Sequence, residues 1–460
     1  MIRHALAAGA LLLTFPATAQ TTTQDALQAR HDRALAAGYK ALTLCSAIAN
    51  PRHMAKRSPE DVVQWELSGI YPQLDPIVRE LPHKLTYHAT TALSATLGPT
   101  LHHVSVDWDA AMPPRVAIYK PYLGCSILPV GAMVPPPVEK PPQVLPGPMP
   151  TLDLQYASAT RSLVESAFAD RYGAGTRTTA VIVQRNSKRV AEQYAEGPFG
   201  VATPQRTWSV AKSIASTLVG AAVYRGEADV AASAGLGTDA SDPRRAITID
   251  HALRMASGRY SETPGNRTDA LYFGGATVRE SALDGPLVYL PGTVFRYANN
   301  DTLAATQAIS ASFSTHPPND VLKSIWMGST VAETDWQGGY VLSSQVWSTA
   351  RDLAQLGQLY LDDGILKNGK RVLPEGWVKY VSTPSGPQPD GPFGYGAGFW
   401  LLNKSQGVPP DTFAAFGNRG QFIIIVPSMN VVIVRRGEDP AGSSFDIAAF
   451  TRDVLESLTQ

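Results

Sequence analysis

The sequence lacks the features that most directly indicate a cofactor or a nucleic-acid partner. Its 460 residues carry 39 basic and 39 acidic side chains, so the formal net charge is zero. A neutral chain has no general attraction for nucleic acid or for an anionic membrane surface. The sequence has no H-E-x-x-H, C-x-x-C, P-loop or strand-borne G-x-G-x-x-G motif, and no internal repeat. We therefore expect no metal ion, no nucleotide cofactor and no nucleic-acid partner.

Long apolar runs are equally scarce, and the one at the N-terminus is short. Residues Ala5–Phe15 follow the basic Arg3 and precede Ala17-Thr18-Ala19. A basic start, a short apolar run and an A-x-A sequence are typical of a secretory signal peptide. The run is too short to cross a bilayer as a helix of the mature protein. We predict a signal peptide at 1–19, cleavage after Ala19, and a periplasmic or secreted mature protein without a membrane span. The alternative is an uncleaved membrane anchor.

Cysteine is also rare, with only Cys45 and Cys125 in the whole chain. In an oxidising compartment, two lone cysteines form a disulfide more often than a redox or metal site. Closing so long a loop stabilises the fold by about 4 kcal/mol in the chain-entropy model. We therefore predict a disulfide between Cys45 and Cys125, with two buried free thiols as the alternative.

Proline is concentrated in one segment, residues 127–150, with the sequence ILPVGAMVPPPVEKPPQVLPGPMP. Proline at this density is incompatible with a helix interior or a central strand. We predict an extended connector that separates an N-terminal extension, residues 20–126, from a larger domain at 151–460. Most histidines precede this connector, but without metal-ligand spacing. The neighbours His102 and His103 are expected to point in different directions as surface or packing residues.

Beyond the connector, predicted helices alternate with predicted strand pairs. Turn residues at 186–188 and 427–430 separate β-rich runs and indicate two hairpins. Helices are predicted in LDLQYASATRSLVESAFAD, the segment that opens with RTWSVAKS, ITIDHALRMASG from Thr248 to Gly258, STARDLAQLGQLYLDDG and FDIAAFTRDVLESL. This order indicates an α/β fold in which helices cover an antiparallel sheet.

The segment RTWSVAKS contains Ser209 and Lys212, which share one face of the predicted helix because they are three residues apart. In the first turn of a helix, unpaired N–H groups favour an oxyanion. A serine hydroxyl becomes a nucleophile only when a base takes its proton. Lys212 can be that base if burial or a second cation lowers its pKa from about 10.4 by about 3 units. The alternative is a capping serine beside a solvated lysine.

A second candidate pair lies in LPGTVFRYANND, where Tyr297 and Asn299 form the only Y-x-N of the chain. Tyr297 can act as a phenolate base or a proton relay if a neighbouring ammonium lowers its pKa. Asn299 can hold a substrate amide and orient Lys212. Because Tyr297 and Lys212 would titrate together, neither is assigned a separate pKa. The alternative is a packed tyrosine followed by a turn asparagine.

A third candidate is the segment AAFGNRGQFIIIVP, residues 414–427. A glycine at the end of a strand lets a substrate approach the backbone closely. Its N–H groups could complete an oxyanion hole together with the N–H of Ser209. The alternative is a β-bulge at a sheet edge.

Taken in order, these segments resemble a known family. Together with ITIDHALRMASG, SSQVWSTARDLAQLGQLYLDDG, VLPEGWV and YGAGFWL, they resemble the class C β-lactamase-like serine hydrolases, within the branch of 6-aminohexanoate-dimer hydrolase. The resemblance extends over residues 150–458. The segments ALTLCSAI and VAIYKPYLGCSI are similar to the N-terminal extension of that branch, including its cysteines. The resemblance implies a β-lactamase/transpeptidase-like fold, with an antiparallel sheet flanked by helices, an all-helical subdomain and an N-terminal extension.

The resemblance also implies roles for individual residues. Ser209 is the expected nucleophile, and Lys212 and Tyr297 are the expected proton-transfer pair. The residues expected to bind substrate, including the strand residues that would supply the second oxyanion N–H, are Asn299, Gly417, Asn418 and Tyr260. No cofactor is implied.

One departure from the family pattern bears on the substrate. The chain has no K-T-G, and its strand carries Phe416-Gly417-Asn418-Arg419 instead. In penicillin recognition the lysine of that strand meets the substrate carboxylate, although Arg419 could supply a cation here. We therefore predict a serine hydrolase for small amide or ester substrates. The alternatives are a D,D-peptidase or β-lactamase acting on cell-wall-like substrates, or a non-catalytic penicillin-binding-type sensor.

Overall fold

The structure, a computed structural model, describes residues 17–51, 55–69, 71–88, 99–137, 158–261, 268–281, 283–404 and 406–459. The helices of this part are α1 (Ala17–Ala49), α2 (Pro59–Trp65), α3 (Asp75–Glu80), α4 (Ser158–Ser166), α5 (Val210–Tyr224), α6 (Ile249–Leu253), α7 (Asp269–Tyr272), α8 (Val278–Ser281), α9 (Asn299–Ala308), α10 (Pro318–Ser324), α11 (Ala350–Leu361), α12 (Trp377–Ser382) and α13 (Ile447–Ser457). The strands are β1 (His83–Tyr87), β2 (Leu101–Val106), β3 (Arg115–Lys120), β4 (Gly124–Ile127), β5 (Thr178–Arg185), β6 (Lys188–Tyr194), β7 (Gln205–Arg206), β8 (Val331–Ala332), β9 (Val346–Ser348), β10 (Gly394–Tyr395), β11 (Trp400–Leu401), β12 (Phe413–Gly417), β13 (Gln421–Val426) and β14 (Val431–Gly437).

The N-terminal extension is a helix packed on a small sheet. Strands β1 to β4 form a four-stranded antiparallel meander, and α1 packs against β2, β3 and β4. Buried side chains of α1, among them Tyr39 and Leu44, fill the space between helix and sheet. The predicted disulfide is present and joins Cys45 of α1 to Cys125 of β4. The two layers are therefore linked covalently as well as by apolar packing.

The extension is joined to the rest of the chain by buried polar contacts. The carboxylate of Glu333 accepts from Asn50 Nδ2 at 3.0 Å and from the backbone N–H of Cys125 at 2.9 Å. The same carboxylate accepts from the indole N–H of Trp347 at 3.1 Å. Trp208 and Trp347 belong to the same buried apolar cluster as α1. The extension therefore packs directly behind the segment that carries Ser209.

The prediction that His102 and His103 point in different directions is wrong. Their Nδ1 atoms lie 2.7 Å apart, and the ring of His88 lies 4.9 Å from that of His102. Burial lowers the pKa of His102 to about 4, so its imidazole is neutral at neutral pH. A neutral imidazole has one donor and one acceptor nitrogen, which lets two adjacent rings share a hydrogen bond. His102 is nevertheless buried, as a packing residue would be.

The main sheet has seven antiparallel strands in the order β10-β11-β12-β13-β14-β5-β6. Both predicted hairpins lie in it. Asn186 and Ser187 both have positive φ at the β5–β6 turn, as a tight two-residue hairpin requires. At the β13–β14 turn, Asn430 adopts the left-handed conformation with φ 52°. Turn chemistry that can be read from the sequence thus sets the register of the sheet.

Helices cover both faces of this sheet. Along β13, Ile423 and Ile425 face α5 and α11, whereas Ile424 faces the opposite side, with α4 and α13. A strand buried on both faces is apolar at every position, which explains the unbroken run FIIIV. The architecture is an antiparallel sheet flanked by helices, as expected.

Between β7 and β8 the chain forms a region that contains the helices α5 to α10, joined by long loops. A short three-stranded sheet, β7-β9-β8, lies at its base. The helix predicted from Thr248 to Gly258 is shorter than expected, since α6 ends at Leu253 and Met255 has a φ of 59°. A left-handed residue cannot continue a right-handed helix. The carbonyl of Met255 instead accepts from the N–H of Arg296 at 2.7 Å, which fixes the segment that carries Tyr297.

Three sequence predictions fall wholly or partly outside the described residues. Most of the proposed signal peptide, residues 1–16, lies outside them, and α1 begins at Ala17. Ile127 is the last residue of β4, and 128–137 contain no helix or strand, whereas 138–150 lie outside. The first part of LDLQYASATRSLVESAFAD also lies outside, and the helix α4 follows it. Within the described chain, no helix has the length and apolar character to cross a membrane.

Candidate active site

Ser209 lies where the small sheet meets α5. Strand β7 ends at Arg206, Trp208 has a φ of 49°, and α5 begins at Val210. A left-handed conformation costs a bulky residue about 1 to 3 kcal/mol and persists only when its surroundings enforce it. Ser209 occupies the N-cap position, but its side chain makes no capping hydrogen bond. Ser209 is a partly exposed residue, and its hydroxyl is free to contact other side chains.

Lys212 is the partner that the helical spacing predicts. Its Nζ lies 3.0 Å from Ser209 Oγ, and its side chain is buried, with the residue 2% exposed. The same Nζ donates to Asn299 Oδ1 at 2.6 Å and to the carbonyl oxygen of Ser343 at 3.0 Å. Burial, and secondarily the nearby Arg206, lowers the pKa of Lys212 to about 7. An appreciable fraction of the amine is thus neutral at neutral pH.

The contacts of Lys212 determine what the neutral amine does. A neutral lysine has two N–H donors and one lone pair. The carbonyl of Ser343 and the oxygen of Asn299 can only accept, so they take the two N–H groups. The lone pair is then left to face the one partner that can donate, the hydroxyl of Ser209. This arrangement suits proton transfer from serine to lysine.

Tyr297 is the third candidate residue near the nucleophile. Its hydroxyl lies near the side chains of Ser209 and Trp400, and its ring centre lies 4.9 Å from Lys212 Nζ. Burial raises the pKa of Tyr297 above its ordinary value. Because burial disfavours the charged form, the resting side chain is a neutral phenol and not a phenolate.

Asn299 begins α9 and is buried. The sequence suggested two roles for it, and the contacts favour one. Its Oδ1 accepts from Lys212, and its Nδ2 lies 3.4 Å from Thr268 Oγ1. Asn299 thus orients the amine of Lys212.

The end of β12 lies beside the nucleophile. A Cβ on Gly417 would contact the carbonyl oxygen of Thr207 and would lie 3.2 Å from the backbone nitrogen of Ser209. Only glycine permits this approach. The strand end of Gly417 and Asn418, which is expected to supply a second oxyanion donor, is therefore adjacent to the amide of Ser209.

Arg206 is the site residue that sequence reasoning missed. It is buried, and its guanidinium lies 3.7 Å from the ring centre of Trp208. Its Nη2 donates to Ser344 Oγ at 2.7 Å, next to the carbonyl of Ser343 that holds Lys212. Arg206 thus supports the strained residue before the nucleophile and lowers the pKa of Lys212. Its position three residues before Ser209 is visible in the sequence, but its burial is not.

Tyr260 and Arg419 lie outside this cluster of side chains, and the role of Tyr260 in substrate binding stays a prediction. Tyr260 is 52% exposed, and among the described residues no hydrogen bond or ring contact joins it to Ser209, Lys212 or Tyr297. The suggestion that Arg419 could meet a substrate carboxylate is wrong. Its side chain is buried and lies 2.8 Å from the carboxylate of Glu438. The positive charge of Arg419 is already paired inside the protein.

Among the described residues, no group of three or more His, Cys, Asp or Glu side chains could hold a metal ion. The chemistry that this geometry can support is nucleophilic attack by a serine with a lysine as base.

Comparisons with known proteins identify the family and the fold of the chain. Residues 164–435 match the family model described as Beta-lactamase. The structure is similar to a Bacillus anthracis protein named for 6-aminohexanoate-dimer hydrolase, with 21% identity and a TM-score of 0.53 over 67% of this chain and 87% of that one. It is also similar to a penicillin-binding protein homologue from Caulobacter crescentus, with 16% identity and a TM-score of 0.52 over 66% of this chain and 96% of that one.

A third similar structure is a Bacteroides dorei protein named for β-lactamase, with 18% identity and a TM-score of 0.52 over 65% of this chain and 98% of that one. No curated protein matches the chain. At these identities the solved structures establish the fold, which is β-lactamase/transpeptidase-like. Because the family model covers more than half of the residues, the chain belongs to the β-lactamase family.

Proposed function

We propose that the protein is an exported serine hydrolase that cleaves a small amide or ester through an acyl-enzyme on Ser209. The observation that carries the proposal is the 3.0 Å contact between Ser209 Oγ and Lys212 Nζ. The serine is partly exposed, whereas the lysine is buried and its pKa is lowered to about 7. A perturbed amine that touches an accessible hydroxyl is typical of a catalytic site rather than of a solvated surface.

The proposed reaction has two halves. Ser209 Oγ attacks the substrate carbonyl carbon while its proton passes to Lys212 Nζ, and the carbonyl oxygen becomes an oxyanion. The N–H of Ser209 and an N–H at Gly417 or Asn418 stabilise that charge. The C–N or C–O bond then breaks, and the leaving group takes the proton from Lys212 through Tyr297. A water molecule repeats these steps on the acyl-enzyme and releases the acid.

The neutral state of Tyr297 suits it to the second transfer. A neutral phenol near Ser209 and Lys212 can give its proton to the leaving group and recover one from Lys212. Lys212 is then the base and Tyr297 is the acid. Their surroundings lower the pKa of Lys212 and raise the pKa of Tyr297. Such a separation of two pKa values is common at acid–base sites.

The pairing of Arg419 with Glu438 supports a substrate without an essential carboxylate. A β-lactam or a D,D-peptide substrate presents a carboxylate that a cation of this strand would meet. Esters and amides of small acids make no such demand. We therefore propose esterase or amidase activity ahead of β-lactamase or D,D-peptidase activity.

The proposal of export is supported by the disulfide between Cys45 and Cys125. Disulfides persist in oxidising compartments and are rare in the cytosol. The N-terminal sequence pattern points to the same compartment.

The proposal is tested with Ser209→Ala and the wild-type protein. We expect the wild-type protein to hydrolyse p-nitrophenyl acetate and to gain the mass of one fluorophosphonate adduct, and Ser209→Ala to do neither while keeping its melting temperature. Hydrolysis by Ser209→Ala at the wild-type rate would refute the nucleophile. Faster turnover of nitrocefin than of short-chain esters and aminohexanoate oligomers would refute the substrate class, and an adduct on Ser209 that never hydrolyses would indicate a sensor.

A further inference from the structure

The turn that follows β12 has an unusual conformation and position. It consists of Asn418, Arg419 and Gly420, and it links the last residue of β12, Gly417, to β13. Arg419 has a φ of 59°, although it is not a glycine, and Gly420 has a φ of 74°. The strand end just before this turn lies against the backbone nitrogen of Ser209. Something must hold so strained a turn in place.

The side chain of Arg419 reaches into the N-terminal extension. Its Nη1 donates to the carbonyl oxygen of Glu66 at 2.8 Å. Its Nη2 donates to the carbonyl oxygens of Trp65 and Ser68, each at 2.9 Å. These three carbonyls lie at the end of α2 and just after it. One side chain of the larger domain thus binds three backbone acceptors of the extension.

The same guanidinium is fixed from its own domain. It lies 2.8 Å from the carboxylate of Glu438, and it donates to the backbone carbonyls of Glu438 at 2.9 Å and of Asp439 at 3.2 Å. A planar guanidinium presents its five N–H donors in a rigid fork. Because every direction of that fork is occupied, the backbone of Arg419 has little freedom to move.

The acceptors in the extension are themselves held firmly. The carbonyl of Glu66 also accepts from the hydroxyl of Tyr39 at 2.7 Å, and the carboxylate of Glu66 pairs with the buried Arg57 at 2.8 Å. Tyr39 belongs to α1, the helix that carries Cys45. The anchor of Arg419 is therefore part of the folded extension and not a loose loop.

We propose that Arg419 is a positioning residue through which the N-terminal extension holds the end of β12 against Ser209, so that its backbone N–H can stabilise the oxyanion. The inference rests on the proposed function and gives the extension a part in it. Arg419 itself touches no reacting atom. It acts on Gly417 and Asn418 through the backbone of the turn.

Arg177 offers a matched control. Its Nη2 donates to the carbonyl of Gln64 at 2.9 Å, its Nη1 donates to Ser68 Oγ at 3.2 Å, and its guanidinium lies 4.3 Å from the ring centre of Trp65. Arg177 therefore contacts the same part of the extension as Arg419, but it does not belong to the turn at 418–420. Arg177→Gln weakens the attachment of the extension and leaves the turn intact.

The test compares Arg419→Lys, the double variant Arg419→Gln with Glu438→Gln, and Arg177→Gln. Arg419→Lys keeps the charge beside Glu438 but cannot reach three carbonyls at once. The double variant removes both charges, so no buried carboxylate is left unpaired if the single substitution impairs folding. Circular dichroism at the assay temperature establishes which variants are folded. Each is assayed for p-nitrophenyl acetate hydrolysis across pH and for inhibition by phenylboronic acid, which forms a tetrahedral adduct with serine.

Both Arg419 variants are expected to lower kcat/KM by about 10- to 1,000-fold, the range up to the loss of one oxyanion donor. Inhibition by phenylboronic acid should weaken in parallel, and KM should change less than threefold. The pH at which kcat/KM rises should stay the same, because Lys212 is unchanged in these variants. Arg177→Gln should stay within threefold of the wild-type protein. A folded Arg419 variant with wild-type kcat/KM, or a loss in Arg177→Gln equal to that in the Arg419 variants, would overturn the inference.

The wild-type protein distinguishes this inference from the proposed function. If fluorophosphonate labels Ser209 in the wild-type protein and in the Arg419 variants at equal rates, only the role of Arg419 fails. If the wild-type protein is neither labelled nor active, the proposed function itself fails.

Discussion

Buried cations occur in two kinds of surroundings in this protein. Lys212 is buried among neutral acceptors, namely the oxygens of Ser209, Asn299 and Ser343. Arg435, by contrast, is buried against the carboxylate of Asp439, with contacts of 2.7 and 2.9 Å. A buried ammonium without a counter-ion loses its proton easily, whereas a buried ion pair keeps its charges and fixes the backbone around it.

The comparison shows that a buried charge indicates chemistry only when two conditions are met. Lys40 is also buried, donates to the carbonyls of Val78 and Leu81, and has a pKa lowered by burial. No hydroxyl nucleophile is among those partners. Lys212 combines an unpaired amine with an accessible serine, and this combination separates a catalytic site from an ordinary packing arrangement.

The largest expected effect comes from removing Lys212, the cation without a counter-ion in this comparison. Lys212→Ala should lower kcat/KM for p-nitrophenyl acetate by about 10² to 10⁴, the usual scale for loss of a general base. Lys40→Ala, its matched control, removes another buried lysine and should leave kcat/KM within threefold while lowering the melting temperature. Equal losses of activity in the two variants would show that Lys212 acts through stability alone.

The next effect concerns the paired cations. Asp439→Asn leaves Arg435 buried without its counter-ion, which should destabilise the fold by about 3 to 5 kcal/mol in urea denaturation. Residual activity, measured well below the melting temperature, should keep the same pH dependence as the wild-type protein. Two results would contradict the distinction between structural and catalytic cations. One is an unchanged midpoint of urea denaturation, and the other is a change in the pH at which kcat/KM rises.

The smallest expected effect comes from changing the electrostatic field of Arg206 at Lys212, which tests why the amine of Lys212 loses its proton easily. Arg206 lowers the pKa of Lys212, so removing its charge favours the ammonium. In the wild-type protein kcat/KM should rise with pH through about 7, as Lys212 becomes neutral. In Arg206→Gln this limb should move to higher pH, with about tenfold lower kcat/KM at pH 6 for a shift of one unit. Arg206→Lys should keep the wild-type limb, and a limb that moves to lower pH in Arg206→Gln would contradict the sign of the effect.

Much of the fold could be predicted from the sequence because its signals are local. The turns at Asn186-Ser187 and Asn430, the amphipathic α11 and the apolar strand β13 each follow from short-range chemistry. The end of α6 at Leu253 could not be predicted, because tertiary contacts of Met255 with the segment of Tyr297 override the helical pattern. The contact between His102 and His103 depends on a protonation state that burial sets.

The residues of the candidate site also fall into those that the sequence predicts and those that it does not. Ser209 and Lys212 share one helix, so their spacing alone predicts that they meet. Tyr297 and Gly417 come from distant segments, so their own motifs make them candidates, and the ordered resemblance to a family is what indicates that they join Ser209 in one site. The carbonyl of Ser343 and the support by Arg206 could not be found, because backbone acceptors and buried guanidiniums leave no pattern in a single sequence.

The most direct test of the central claim, that Lys212 is an amine able to accept the proton of Ser209 at neutral pH, is an NMR titration of lysine labelled with ¹³C at Cε, with Lys212→Arg to assign the signal. We predict that the Lys212 signal titrates with a midpoint near 7, set apart from the surface lysines. A signal that stays in the ammonium form above pH 9 would contradict the claim.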